Sequence, residues 1–496
     1  MMARLVLLLF AALLAPTALH AEPVELRVMT FNVWYGGEQV DLATVAAEIR
    51  AADADVVGLQ EVDGNLDTIA ELAGYSHIDP RRRILSRYPI FDSGTGRRET
   101  DTEVPYSIAG LDPGAVHAWV MVRPGEVVAV GNTHLSSDPS GMEAIARGAT
   151  PDDVRAMEQV RVREAEALRP LGALGGKGVP VVLTGDFNAP SHLDWTPATI
   201  AAGRGPYVFE WPVSRLLEQA GLRDSWREAH PDPVTKPGLT WTPGTPHPKL
   251  NPAEVLGRID FIYAAGPVET LASRIVGETG GPDVDIAIAP YPSDHRAVVS
   301  TFRVEPVAAP PLISASPRRV TRGESALIRG HDPSGTWSAG IVRRGETAAI
   351  TGLYHTNEAW RAAARLGTFE LEPGDYDAML FDAANRPQAR AGFTVVARDA
   401  VPSIAAVDVA AGEPLSVSWQ NAPGAARDWI GLYSAGEADL NAYQGFAYTQ
   451  ANVNGQATID TAALPLGEYE ARLLFDEGFE VLAAARFTIG AARSGH

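Results

Sequence analysis

The stretch LTGDFNAP, Leu183 to Pro190, decides how the rest of the chain is read. An apolar run from Val179 to Leu183 drives toward Gly185 and then delivers Asp186 and Asn188 two residues apart. Strand side chains alternate with a period of two, so both can leave the end of a buried strand on the same face. Gly-Asp and Asn-Ala-Pro after a strand are also ordinary turn chemistry, so the stretch alone is a site or a turn. Its company favours a site. Four other strand-like runs in the first 300 residues end in a polar cluster: TFNVW from Thr30, LQEV from Leu59, NTHL from Asn132 and RIDFIY from Arg258. A further cluster, SDH at Ser293 to His295, follows a short loop.

With 496 residues, 46% of them hydrophobic and 21% charged, the chain is globular in composition and too long for one core. There is no Cys, so disulfides and thiolate metal sites are excluded. Any metal must sit on Asp, Glu, His or Asn, which favours Mg²⁺, Mn²⁺ or Ca²⁺. A formal charge of -20 argues against a broad basic surface that tracks nucleic acid. Met1 to about Ala21 reads as a signal peptide: Arg4 supplies a positive charge, Leu5 to Leu14 is a short apolar core, and Pro16 and small residues follow. The expected location is therefore periplasmic or extracellular.

Glu25 to Trp34 reads as a strand, followed by a helix capped by Asp41 with Leu42, Val45, Ala46 and Ile49 on one face. A second buried strand, Asp55 to Glu61, follows, which places Asn32 and Glu61 at the ends of two strands flanking one helix. RILSRYPIF from Arg83 is a strand broken at Pro89, and Arg81, Arg82 and Arg83 at its start read as a solvated basic cluster, with a phosphate clamp as the alternative. Two strands around Pro124-Gly125 make a hairpin whose second arm ends at Asn132, Thr133 and His134. Ser136 to Thr150 is a polar loop with the character of a mobile lid. Thr150 then caps a helix with Pro151 at its first position and an apolar stripe from Val154 to Leu168. TWTPGTPHP from Thr240 reads as an ordered irregular loop.

The boundaries that follow are a signal peptide at 1–21, a catalytic domain at 24–305 and a linker of Pro-rich composition at 306–314. Two β-sandwich repeats occupy 315–398 and 402–490. The repeat is visible in GDYDAMLFD from Gly374 against GEYEARLLFD from Gly467, and in Phe393-Thr394 against Phe487-Thr488. Each copy has the size of a β-sandwich, about 90 residues. The one helical signal in this half is Glu358 to Leu366. The aromatic set Trp429, Tyr433, Tyr443, Phe446 and Tyr448 reads as strand packing, with a ligand platform as the alternative.

TFNVW, LQE, NTHL, GDFN, RIDF and SDH, in this order over about Val24 to Val304, resemble the endonuclease/exonuclease/phosphatase superfamily, which includes deoxyribonuclease I. The resemblance implies an α/β four-layer sandwich, two β-sheets flanked by helices, with the site at the strand ends; the two all-β sandwich domains follow it. It also implies a divalent-metal-dependent phosphoric ester hydrolase, foremost a phosphodiesterase driving water in line onto phosphorus. Glu61 is then the metal ligand, with Asn32 and Asp294 close by. His295 takes the proton from water, Asp260 orients its imidazole, and Asp186 with Asn188 positions nucleophile and phosphate. His134 donates to the phosphoryl or leaving oxygen, and Asn32, His134 and Asn188 bind the phosphate. Relatives that carry an acid two positions after the motif Asn have a counterpart here in Trp34, which speaks against a second metal.

The substrate is a phosphate ester: a small ester, a lipid head group as in bacterial sphingomyelinases, or nucleic acid as in an extracellular nuclease. The C-terminal sandwiches are open to binding a surface or a polymer, and no obligate protein partner is inferred. Because all the motifs precede the linker, the sandwiches are expected to be dispensable for chemistry. A reading from another class is a binding or adhesion protein whose front domain is an inactive relic, but none of the motifs is broken.

Overall fold

The computed structural model describes residues 22–62, 64–92, 116–241, 256–356, 360–361, 363–425, 427–450, 452–476 and 478–491. The expected signal peptide and most of the TWTPGTPHP loop lie outside them. Among the described residues, no helix is long and apolar enough to cross a membrane.

Two seven-stranded sheets carry the first 308 residues. The strands, in chain order, are β1 Val24–Asn32, β2 Val56–Gln60, β3 His77–Asp79, β4 Ile84–Ser86, β5 Ile90–Asp92, β6 Ala118–Arg123, β7 Glu126–His134 and β8 Val181–Asp186. They continue with β9 Arg223–Asp224, β10 Asp260–Ala265, β11 Val268–Glu278, β12 Val284–Ile288, β13 Ala297–Val304 and β14 Val307–Ala308. One sheet runs β12-β11-β13-β1-β2-β4-β3; the other runs β5-β6-β7-β8-β10-β9, with β14 added beside β7.

Each sheet is buried on both faces, which is why its central strands read as continuous apolar runs. Leu26, Val28, Val128, Val130, Val182, Ile262 and Phe302 fill the space between the sheets. Val45 and Ile49 of helix α1, Leu42–Ala52, and Ile69 of helix α2, Leu66–Ala73, cover the outside of the first sheet. Leu168, Leu171 and Leu217, on the other side, cover the second. That makes four layers, helix-sheet-sheet-helix. Burying such a side chain contributes roughly 1.5–3 kcal/mol, enough over a core this size to replace absent disulfides.

The local signals did their expected work. Asp41 accepts from Thr44 N at the start of α1, and Thr150 and Asp153 form a reciprocal cap around Pro151. The helix expected from Thr150 is divided into Pro151–Met157, Gln159–Glu166 and Arg169–Gly176. Three expectations are corrected. Arg82 and Arg83 are 3% and 5% exposed rather than solvated, because Arg82 pairs with Asp79 (2.6 Å) and Arg83 with Asp476 (3.1 Å). The segment after His134 is not a free lid: Ser136 donates to Glu164 through N and Oγ, and Arg161 donates to Ser136 O and Pro139 O. Gly141–Ala146 in the same segment is helical and buries Met142 and Ile145. Of the helical signal at Glu358 to Leu366, residues 358, 359 and 362 lie outside the described residues, and its end is a strand, Ala364–Gly367, which pairs with Ser325–His331.

The stretch of linker composition is tied at both ends. Val307 and Ala308 pair with Val127 and Glu126, and Leu312–Ser316 already belongs to the next sheet. Beyond it the two repeats share one plan, a three-stranded sheet facing a five-stranded one. In each a Tyr stacks on a Phe, Tyr376 on Phe393 and Tyr469 on Phe487, at 6.0 and 5.5 Å. Both tyrosine hydroxyls donate to the carbonyl four residues earlier, Glu372 and Pro465.

Candidate active site

Parallel pairing of β1 with β2 sets Asn32 beside Gln60, so Glu61 emerges one step past the neighbouring strand end. In the other sheet β7, β8 and β10 bring His134 beside Asp186 and Asp186 beside Asp260. The sheets face each other, so these two rows of strand ends meet. All eight residues singled out by sequence lie in this one locality.

His295 is the centre of it. Its Nδ1 lies 3.0 Å from Asp260 Oδ2, and its Nε2 points toward Asp186 Oδ2 (3.8 Å) and Asp294 Oδ1 (4.0 Å). His134 approaches from the other side, with Nε2 3.6 Å from Asp186 Oδ2 and 3.9 Å from Glu61 Oε1. Two imidazoles therefore share one carboxylate. Asn32 Nδ2 donates to Glu61 Oε1 and to Asp186 Oδ2, both at 3.0 Å, and Tyr35 N donates to Glu61 Oε2 at 3.0 Å. Ser293 Oγ donates to Asn32 O (2.7 Å) and accepts from His295 N (3.0 Å), which fixes the SDH turn against β1.

Asp186 and Asn188 resolve the opening ambiguity by being both turn and site. Asp186 Oδ1 accepts from Asn188 N (2.9 Å), while Asn188, in the left-handed region at φ 49°, turns its Nδ2 to Leu135 O (3.0 Å). The side chain of Asn188 thus ties β8 to the end of β7, and Asp186 alone of the two faces the histidines.

Negative charge is in excess here. Burial raises the Asp294 carboxyl to about 6; Glu61 and Asp186 push the same way, while His295 opposes them. Burial, helped by Asp260, also raises Asp186 against the pull of His295 and His134. Burial disfavours charge on His295, yet Asp260, Asp186 and Asp294 outweigh it and hold its pKa well above the ordinary histidine value. Asp260 Oδ1 and Asp294 Oδ1 are buried with no hydrogen-bond partner among the described residues. Orphaned buried carboxylate oxygens beside like charges fit a hard divalent cation. Ligand atoms of Asp186, Asp260 and His295 lie within 4.8 Å of one another, a candidate metal cluster by distance. Its Asp260 oxygen is already engaged with His295 Nδ1, so this trio also has the form of a proton relay. Glu61 and Asp294 are the acids of the pocket outside that trio; Asn32 presents its Nδ2 to Glu61 and Asp186 and its oxygen to Trp34 N.

A buried amide lies beneath the site. Asn132 Oδ1 accepts from Gln60 Nε2 (2.7 Å) and Thr184 Oγ1 (2.8 Å), and its Nδ2 donates to Leu59 O and Arg82 O (both 2.8 Å). It thereby bolts the two sheets together directly under the strand ends. Gly58 makes room for this: a Cβ there would stand 2.0 Å from Thr184 Oγ1 and 2.5 Å from Asn132 Oδ1. Sequence reasoning missed Tyr291 as well. Its hydroxyl lies within reach of His295 O (2.7 Å), Glu48 Oε1 (3.0 Å) and Val276 O (3.2 Å). One phenolic proton cannot serve all three acceptors at once, and burial raises the Glu48 carboxyl well above ordinary values, disfavouring its charge beside the phenol. An isolated Glu on a helical face gives no sequence signal for such a role.

A four-layer sandwich with two histidines and four acids at its facing strand ends defines a phosphoester-hydrolase class of site. The chain belongs to the Endonuclease/Exonuclease/phosphatase family, which it matches over residues 29–295. It is 30% identical over 305 residues to an uncharacterized protein of Caenorhabditis elegans, covering 56% of this chain and 91% of that one. Among solved structures it is similar to an endonuclease/exonuclease/phosphatase from Beutenbergia cavernae DSM 12333, at 19% identity and TM-score 0.37, over 75% of this chain and 99% of that one. It is also similar to TDP2 from C. elegans, at 20% identity and TM-score 0.32, over 56% and 75% of the two chains. A mannosyl-6-phosphatase of Bacteroides thetaiotaomicron VPI-5482 matches at 16% identity and TM-score 0.32, over 56% and 99%.

Proposed function

We propose that the protein is an exported, divalent-cation-dependent phosphodiesterase. The observation that carries this reading is the imidazole of His295, held at Nδ1 by Asp260 at 3.0 Å with Nε2 turned into a pocket of acids that His134 closes from the far side. An imidazole so held has one tautomer when neutral, with Nε2 as the acceptor. In this reading Nε2 takes the proton of a water aimed in line at phosphorus, and Asp260 stabilises the imidazolium that forms. His134 donates to the phosphoryl or leaving oxygen. Asp186 stands between the two imidazoles and orients the water, with Asn188 fixing the turn that carries it. Asn32 lines the phosphate side, whereas the Asn188 amide, expected there from sequence, is turned to Leu135 O.

Glu61, with Asn32 and Asp294 beside it, would hold the cation, Mg²⁺ or Mn²⁺ by the hardness of its oxygen ligands. Bound there, a divalent cation would supply charge neutralisation for the phosphoryl oxygens and would offset the carboxylate field that raises the His295 pKa.

Purified protein assayed with Mg²⁺, Mn²⁺ and Ca²⁺ against bis-p-nitrophenyl phosphate, DNA, RNA, sphingomyelin and phosphoinositides tests the reading. Cation-dependent release of nitrophenol is the expected outcome, and the natural esters then separate a nuclease from a lipid hydrolase. Specific binding to a surface or polymer with no turnover of any ester would favour an adhesion protein instead.

A further inference from the structure

The second C-terminal repeat reaches the strand ends that carry the site. At the end of its strand Gly467–Leu474 the chain turns, and Asp476 Oδ2 accepts from Gly64 N at 3.1 Å while Oδ1 pairs with Arg83 at 3.1 Å. Both partners of the ion pair are buried. Phe475 lies against the same turn so closely that a Cβ on Gly64 would stand 2.4 Å from its ring. Arg427 Nη2 donates to His134 O at 3.2 Å, its guanidinium 5.0 Å from the Tyr448 ring centroid, and its N donates to Asp476 Oδ1 at 3.2 Å. Asp428 accepts from Asp476 N (3.1 Å) and from Gly424 N and Ala425 N, joining both loops into one pad.

This pad touches three segments: the turn after Glu61, the turn at Arg83, and the end of β7 at His134. Arg83 itself accepts Leu59 N at its carbonyl, and Arg82 O takes the Asn132 amide, so the clamp continues into the bolt between the sheets. A buried ion pair is weak support for overall stability but fixes geometry, since removing one partner leaves the other charged and unpaired.

We infer that the second repeat is a working part of the active site, with Arg427 and Asp476 as positioning residues that set the main-chain paths of the Glu61 and His134 ends. Residues 293 and 412 positions apart in sequence thus meet at one catalytic rim. The inference rests on the phosphodiesterase reading for its effect on turnover and reverses the expectation that the sandwiches are dispensable. Displacing catalytic groups by about 1 Å costs up to roughly 10²-fold in rate, whereas ester binding by the cation and phosphate donors changes little.

The test uses full-length protein and bis-p-nitrophenyl phosphate, with hydrogen exchange followed at residues 61–64 and 134–136. Arg427→Ala and Asp476→Ala should each lower kcat by about 10–100-fold with KM within about twofold, and accelerate exchange at both ends. Arg427→Lys, which keeps a donor and a charge, should restore most of both. Arg427→Ala serves where Asp476→Ala fails to fold, since it leaves the buried ion pair intact. Unchanged kcat in both folded variants, or unchanged exchange, overturns the inference. A wild-type protein inactive on every ester sinks the hydrolase reading instead; exchange then decides the positioning claim alone, accelerated exchange upholding it and unchanged exchange overturning it.

Discussion

Carboxylates end strands in both halves of the molecule, and they are treated in opposite ways. In the first repeat Asp382 closes its own hairpin, accepting from Ala384 N and Arg386 N and pairing with the Arg386 guanidinium. In the first domain Asp260 and Asp294 each keep a buried oxygen without a hydrogen-bond partner among the described residues, and Asp186 and Glu61 crowd beside them. A satisfied carboxylate makes a turn; an under-satisfied buried one stores unfavourable energy, which native proteins retain where a ligand or a reaction relieves it. Asp476 belongs to both kinds. The second repeat closes its turn from Phe475 N to Glu480 O, one residue longer than the turn from Asp382 N to Arg386 O in the first. The added residue puts Asp476 at φ 36°, and its carboxylate serves a neighbouring domain instead of its own hairpin.

The contrast is broken most severely at His295. His295→Ala should lower kcat by on the order of 10²–10⁴ with fold intact by circular dichroism. Asp260→Asn should cost a similar order, and the double variant far less than the product of the two, because the second change removes a group already idle. A near-wild-type kcat in folded His295→Ala protein would overturn the relay. The same pair governs pH dependence. Surrounding carboxylates raise the His295 pKa, so activity should fall as pH falls and the imidazole takes up its proton. In the residual activity of Asp260→Asn that acid limb should move to lower pH, because one of the charges holding the proton is gone; a limb that moves upward contradicts the assignment.

Glu61→Gln comes next. The apparent activation constant for Mg²⁺ or Mn²⁺ should rise by at least about 10–100-fold, read from turnover and from calorimetric titration of the cation. Full activity of this variant in excess chelator would remove Glu61 from the metal site.

Gly58→Ala moves the comparison from chemistry to packing. Its new methyl meets Thr184 and Asn132 where the sheets are bolted, so the unfolding free energy should drop by about 1–3 kcal/mol in a denaturant titration. No loss of stability would mean the sheets can part there without cost. The smallest effect belongs to Asp382→Asn, whose carboxylate is half-buried and locally satisfied. Turnover should stay within twofold of wild type at every pH where the enzyme is active, and a larger change would place the first repeat in the mechanism too.

Much of this architecture is local in origin and therefore readable in one dimension. Apolar runs of strand length, Gly and Pro at turns, and the caps at Asp41 and Thr150 act over a few residues, so the order of elements and the two repeats follow from sequence. So does the site's membership, because six of its eight residues border apolar strand runs and the other two, Asp294 and His295, lie in a short polar motif just before one. What those side chains do with one another was set by tertiary structure alone. Asn188 has the same residue type and spacing whether it faces the phosphate or Leu135 O, and only the left-handed turn decides. Arg83 looks like a solvated cation until a partner 393 residues away buries it. Glu48, Tyr291 and Arg427 carry no periodic or motif signal, and the repeat that contains Asp476 says nothing of its partners, since hydrogen bonds and ion pairs act through space over about 3 Å and leave no trace in the spacing of the chain.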